Sequence, residues 1–127
     1  MTTKIFTHSQ ATQTLPLVKK IVTDILKTGH AIRELSVEME KPEDDPEIGR
    51  LMDLLDELFE EMESLGCYYK DWNFTVGLVD FPAKINGKEV MLCWRSDEEH
   101  ICFFHDAETG YSGRRPIPKE ALSSSDK

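Results

Sequence analysis

The chain has 127 residues, and 15 Lys and Arg stand against 24 Asp and Glu, a formal net charge of −9. That length fits one domain, the 39% hydrophobic content supplies a buried core, and so acidic a chain repels phosphate backbones and anionic lipid, which argues against nucleic-acid and membrane partners. With no apolar run near the roughly 18 residues of a membrane span and no secretory hydrophobic stretch in residues 1–10, the expected location is cytoplasmic, where the three cysteines are reduced thiols or ligands.

In chain order, Thr7 and Gln10 form the capping-box pattern that opens a helix. Leu15, Val18, Val22, Ile25, Gly29, Ile32 and Met39, with Leu35 filling the gap, keep three-four spacing. This predicts one long amphipathic helix over residues 7–41, kinked near Pro16 or preceded there by a separate short piece. Pro42-Glu43-Asp44-Asp45 reads as a connector, with Asp45 as N-cap and Pro46 in the first helical position. Ile48, Leu51, Leu55, Leu58, Met62 and Leu65 follow at heptad spacing, a second helix over 45–65 that Gly66 terminates. Joined by a short loop, the two helices must pack antiparallel to bury their stripes. Residues 34–63 hold 13 acids against Lys41 and Arg50, a local net of −11, and their interleaving with the stripe marks solvated helix faces. Helices of roughly 30 Å or more are longer than a small sheet needs as cover, which points to a second subunit on part of the seam.

From Gly66 onward the pattern changes to short β-rich runs. Residues 67–70 form a possible first strand and Asp71-Trp72-Asn73 a turn. Residues 78–85 and 88–95 flank Asn86-Gly87, a strong hairpin signal. A four-residue turn over 96–99 would lead to a third strand at 100–105, and Pro82 demotes the 78–85 strand to an edge unless a bulge sits there. These registers set Asp80, Cys93 and Cys102 in one cross-strand row, on a face shared with Leu78, Pro82, Met91, Arg95, His100 and Phe104. Val79, Phe81, Ala83, Val90, Leu92, Trp94, Ile101, Phe103 and His105 lie on the other, more apolar face, which should pack on the helices. The first face is too apolar for open water, so a second subunit or the returning segment 111–118 should cover part of it. The fold class is therefore α+β: a long antiparallel helical hairpin on a three- or four-stranded antiparallel meander, with residues 67–118 forming the sheet and return loop and 119–127 a disordered tail.

Three constellations carry chemistry. Asp80, Cys93 and Cys102 with His100 nearby offer carboxylate, thiolate and imidazole, a donor set suited to zinc or iron, although the same spacing suits two buried thiols. Cys93 as a nucleophile with a histidine base and Arg95 beside it is the rival, and only His100 would reach it in this register. The loop Gly110-Tyr111-Ser112-Gly113-Arg114-Arg115 after His105 and Asp106 could hold a small anionic ligand, or its arginines could pair with the protein's own acids. His8 and His30 stand alone on helical segments.

The runs Gly77-Leu78-Val79-Asp80-Phe81-Pro82-Ala83 and Val90-Met91-Leu92-Cys93-Trp94-Arg95, followed by Glu98, His105, Gly110-Tyr111 and Arg114, resemble the bacterial domain-of-unknown-function family 2203, and Leu15-Pro16-Leu17-Val18 fits its first helix. That family has no established activity, so the resemblance transfers no catalytic residue. It marks Asp80, Cys93, Trp94, Arg95, Glu98, His105 and Arg114 as positions matching the family pattern, which does not include Cys102. The reading is a small interaction or small-ligand-binding module, non-enzymatic and homodimeric, with a protein partner or a small anion as its ligand. The alternative is a metal-dependent or thiol enzyme centred on Cys93, Asp80 and a histidine.

Overall fold

A computed structural model of the chain describes residues 4–71 and 74–122, so the tail 123–127 and most of the turn 71–73 lie outside the described residues. Helix α1 spans His8–Ser36 and starts at the capping box, Gln10 N donating to Thr7 Oγ1 and Thr7 N to Gln10 Oε1. It runs unbroken through Pro16 and stops at Ser36 rather than near 41; Val37, beyond its end, is exposed. A one-turn 3₁₀ helix at Pro42–Asp44 leads to α2, Pro46–Ser64, capped by Asp45 through a 3.0 Å bond from Ile48 N. Gly66, at φ 91°, turns the chain out of α2. Beside it lie Lys4 and Phe6, so the start of α1 meets the end of α2 and the hairpin is antiparallel. No helix among the described residues is long and apolar enough to cross a membrane.

The sheet has five antiparallel strands in sequence order: β1 Tyr68–Tyr69, β2 Leu78–Ile85, β3 Lys88–Arg95, β4 Phe103–Asp106 and β5 Arg115–Pro116. Asn86 and Gly87 both take positive φ, as a two-residue hairpin turn requires, and they fix Asp80 opposite Cys93. β2 is not an edge. Pro82 is tolerated because its backbone faces away from β3: its carbonyl accepts from Phe6 N at 2.7 Å, past the end of β1, so the missing N–H removes no β2–β3 bond. Val79, Phe81, Ala83, Val90, Leu92 and Trp94 bury against Val18, Ile21, Val22 and Ile25 of α1 and Leu55, Leu58 and Met62 of α2. Past β5, residues Lys119–Ala121, expected in a disordered tail, form a 3₁₀ turn, and Leu122 packs on the core.

The third strand differs from expectation in start and in phase. Trp94 Nε1 donates to Glu98 O at 2.9 Å and Arg95 N to Glu98 Oε1 at 2.9 Å, which closes a tight turn. The chain then leaves the ladder so that Ile101, 1% exposed, enters the helix-side core, where His8 Nε2 donates to its carbonyl at 2.7 Å. It rejoins at Phe103, opposite Cys93, one residue out of the expected phase. Because side chains alternate, that offset exchanges faces: Phe104 turns to the core, while Phe103 and His105 turn to the Asp80 face.

Candidate metal centre

Three adjacent strands each deliver one donor to a single spot. Residues facing across a ladder share a sheet face; Asp80 is opposite Cys93, and His105 is opposite Met91, two places along from Cys93. Asp80, Cys93 and His105 are 5%, 1% and 3% exposed, and one ligand atom from each lies within 4.8 Å of the other two. His105 Nε2 lies 3.0 Å from Asp80 Oδ1.

The protonation pattern follows from a backbone contact. His105 Nδ1 is 2.8 Å from the carbonyl of Asp106, which only accepts, so Nδ1 carries hydrogen and Nε2 is the atom aimed at Asp80. A neutral imidazole would then set its Nε2 lone pair against an ionised carboxylate. A proton or a cation must sit between them. Burial pushes the Asp80 carboxyl above its ordinary range, while His105 and, more weakly, Lys70 pull it down. Burial, with Asp80 second, pushes the Cys93 thiol up to about 11, and the Arg114 guanidinium opposes this. Without a metal, the cluster therefore disfavours its own anionic forms.

Behind Cys93, Arg114 lies over the rings of Phe103 and Tyr111, its carbon 4.2 and 5.2 Å from their centroids. It donates to the Cys93 carbonyl at 3.1 Å and pairs with Glu98, both side chains being largely buried. Arg115 pairs with Asp106 at 3.0 Å. Both arginines of the glycine-containing loop are thus engaged by the protein's own carboxylates. In front of the donors opens a cavity of about 230 Å³ lined by Lys70, Leu78, Met91, Ala107, Gly110 and Tyr111 as well as the three donors. Of the returning segment 111–118, Tyr111 lines this cavity and Arg114 lies over Phe103, while Ile117 joins the helix-side core.

The expected row of Asp80, Cys93, Cys102 and His100 does not form as a unit. Cys102 is exposed and lines a different cavity together with His8, Leu15 and His100. His100 is exposed, 4.0 Å from Glu99. His105, assigned by the four-residue turn to the helix side, takes the histidine place instead. Of the other family-pattern residues, Trp94 is buried on the helix side. Arg95 binds Asp97 at 2.6 Å and donates to the Tyr111 hydroxyl, and Glu98 ties the β3 end to Arg114. Sequence reasoning missed Lys70 and Tyr111 at the cavity. Lys70 was within reach of a period-two argument: Tyr68 pairs with Asp80, so Lys70, two residues on, returns to the same face. Tyr111 follows from no local pattern.

Comparison with known proteins agrees with the sequence motifs. No curated protein and no solved structure matches the chain. Residues 4–117 match the family described as Uncharacterized conserved protein (DUF2203), a match that includes all three donors, both helices and all five strands. The chain belongs to the DUF2203 family.

Proposed function

We propose that the protein binds one divalent transition-metal ion, zinc or iron, through Asp80, Cys93 and His105, and uses the open side of that ion to hold a small ligand in the adjoining cavity. The observation that carries this reading is the convergence of three chemically different donors, each from its own strand and each buried. Donors on a tetrahedral ion with bonds of about 2.0–2.3 Å lie roughly 3.3–3.8 Å apart. The separations here, 3.0 Å for His105 and Asp80 and at most 4.8 Å for any pair, bracket that value, so small side-chain rotations suffice. A thiolate among the donors disfavours magnesium and calcium, which take oxygen. The His105 Nδ1 bond to the Asp106 carbonyl is the orienting contact that metal-bound histidines usually have.

Three protein donors facing a cavity correspond to an ion with one open position, whereas structural zinc is closed by four. An ion held so supplies Lewis acidity toward an oxygen atom of the ligand. Asp80, a donor, is the only carboxylate among the described residues that line the cavity, and Glu98 is occupied by Arg114 and Arg95 N. That supports holding and polarising a ligand ahead of general-base hydrolysis. The test is elemental analysis by inductively coupled plasma mass spectrometry, on protein purified without chelator and then equilibrated with zinc and desalted. Close to one equivalent per chain is expected, lost in Cys93→Ser and His105→Gln and kept in Cys102→Ser and His100→Ala. Folded wild-type protein that retains no metal overturns the proposal.

A further inference from the structure

Resting on the metal reading above, we infer that the ligand is a small monocarboxylate, one oxygen on the metal and its charge matched by Lys70. Charge balance at the buried donors and the cavity rim points to this class. A divalent ion is neutralised by the Asp80 carboxylate and the Cys93 thiolate, with His105 neutral. Glu98 and Arg114 cancel each other. What remains at the cavity is the ammonium of exposed Lys70, which lies 5.8 Å from the centroid of the Tyr68 ring and acts on Asp80 through its charge. The neutralised ion and its buried donors therefore face a cavity whose rim carries one positive charge, which suits a ligand with one negative charge.

Shape narrows the class. At about 230 Å³ the cavity is below the roughly 300–1,000 Å³ of pockets for drug-sized ligands. Away from the donors and Lys70, its wall is Leu78, Met91, Ala107, Gly110 and Tyr111, without a further charged side chain, which favours a short apolar tail over a second charged group. Inorganic phosphate, divided between mono- and dianion near neutral pH and without an apolar part, fits the apolar wall less well.

The experiment uses the cobalt(II)-loaded full chain, whose thiolate-to-cobalt absorption reports the Cys93 bond and whose visible ligand-field bands report the open position. Acetate, propionate, acetamide and inorganic phosphate are titrated separately. Saturable band shifts with acetate, stronger with propionate and absent with acetamide, are expected. Lys70→Met should keep the thiolate band and weaken propionate by about tenfold, and Lys70→Arg should restore most of the affinity. A thiolate band with bands indifferent to carboxylates, with phosphate binding at least as tightly as propionate, or with Lys70→Met unimpaired overturns the ligand assignment and leaves the metal site standing. No thiolate band overturns both.

Discussion

If Asp80 and His105 are held together for a ligand rather than for the fold, removing one should cost far more than removing both. The two side chains are 7% and 3% exposed and meet at 3.0 Å. Asp80→Val leaves the buried imidazole Nε2 without its Asp80 partner, and His105→Leu leaves the buried Asp80 carboxyl with Cys93 in place of the pair. Breaking a buried pair in this way costs about 3–5 kcal/mol, which for a chain of this size lowers Tm by about 12–20 °C. In the double variant Asp80→Val/His105→Leu both polar groups are gone, and the added methyl groups have the adjoining cavity to relax into. Replacing a buried pair with apolar residues is commonly neutral or stabilising by about 1–4 kcal/mol. The double variant should therefore unfold within about 1 kcal/mol of wild type, or later. Urea unfolding in the presence of chelator, followed by the fluorescence of buried Trp94, measures all four corners of the cycle. The chelator removes any contribution of bound metal to wild type. If the double variant loses as much as both single variants together, the pair is a structural keystone, and its burial says nothing of a ligand.

Three further outcomes follow from the same geometry. A disulfide exchange reagent at pH 8 should modify exposed Cys102 quickly and the buried Cys67 and Cys93 only on unfolding, because burial pushes their thiols up to about 12 and about 11 and so depletes their thiolates at that pH; a fast-reacting Cys93 in the chelated protein would contradict this. Gly77→Ala sets a methyl 2.2 Å from Val22 Cγ1, where β2 begins against α1, and should destabilise by about 1–3 kcal/mol in thermal melts. Adding Val22→Ala should recover part of that loss despite its own cavity. His8→Ala removes a donor from the Ile101 carbonyl and should cost about 1–3 kcal/mol, with faster amide hydrogen exchange across residues 98–103.

What was legible in the sequence is what short-range chemistry decides. The Thr7–Gln10 box, Asp45 ahead of Pro46, Gly66 after the heptad stripe and Asn86-Gly87 each act within a few residues, and each stands where its pattern put it. The hairpin therefore set Asp80 opposite Cys93 correctly. The end of α1 was overrun because Leu35 and Met39 continue the apolar spacing, yet the chain turns after Ser36 and leaves Leu35 and Val37 exposed. Pro82 misled for a different reason: a proline excludes a ladder bond on one side of a strand only, and that side can be known only once Phe6 is seen to lie there.

The site itself turned on a single residue of phase, and no pattern local to residues 96–105 contains it. A four-residue turn over 96–99 aligns Cys102 with Cys93. Against it stand three long-range or buried contacts: Glu98 held by Trp94, Arg95 and Arg114; Ile101 drawn into the helix-side core; and its carbonyl bound by His8, 93 residues earlier in the chain. Together they take Ile101 out of the ladder, and the odd offset sends Cys102 outward and His105 inward. The donor set of the sheet thus depends in part on a histidine on α1, acting through the Ile101 carbonyl.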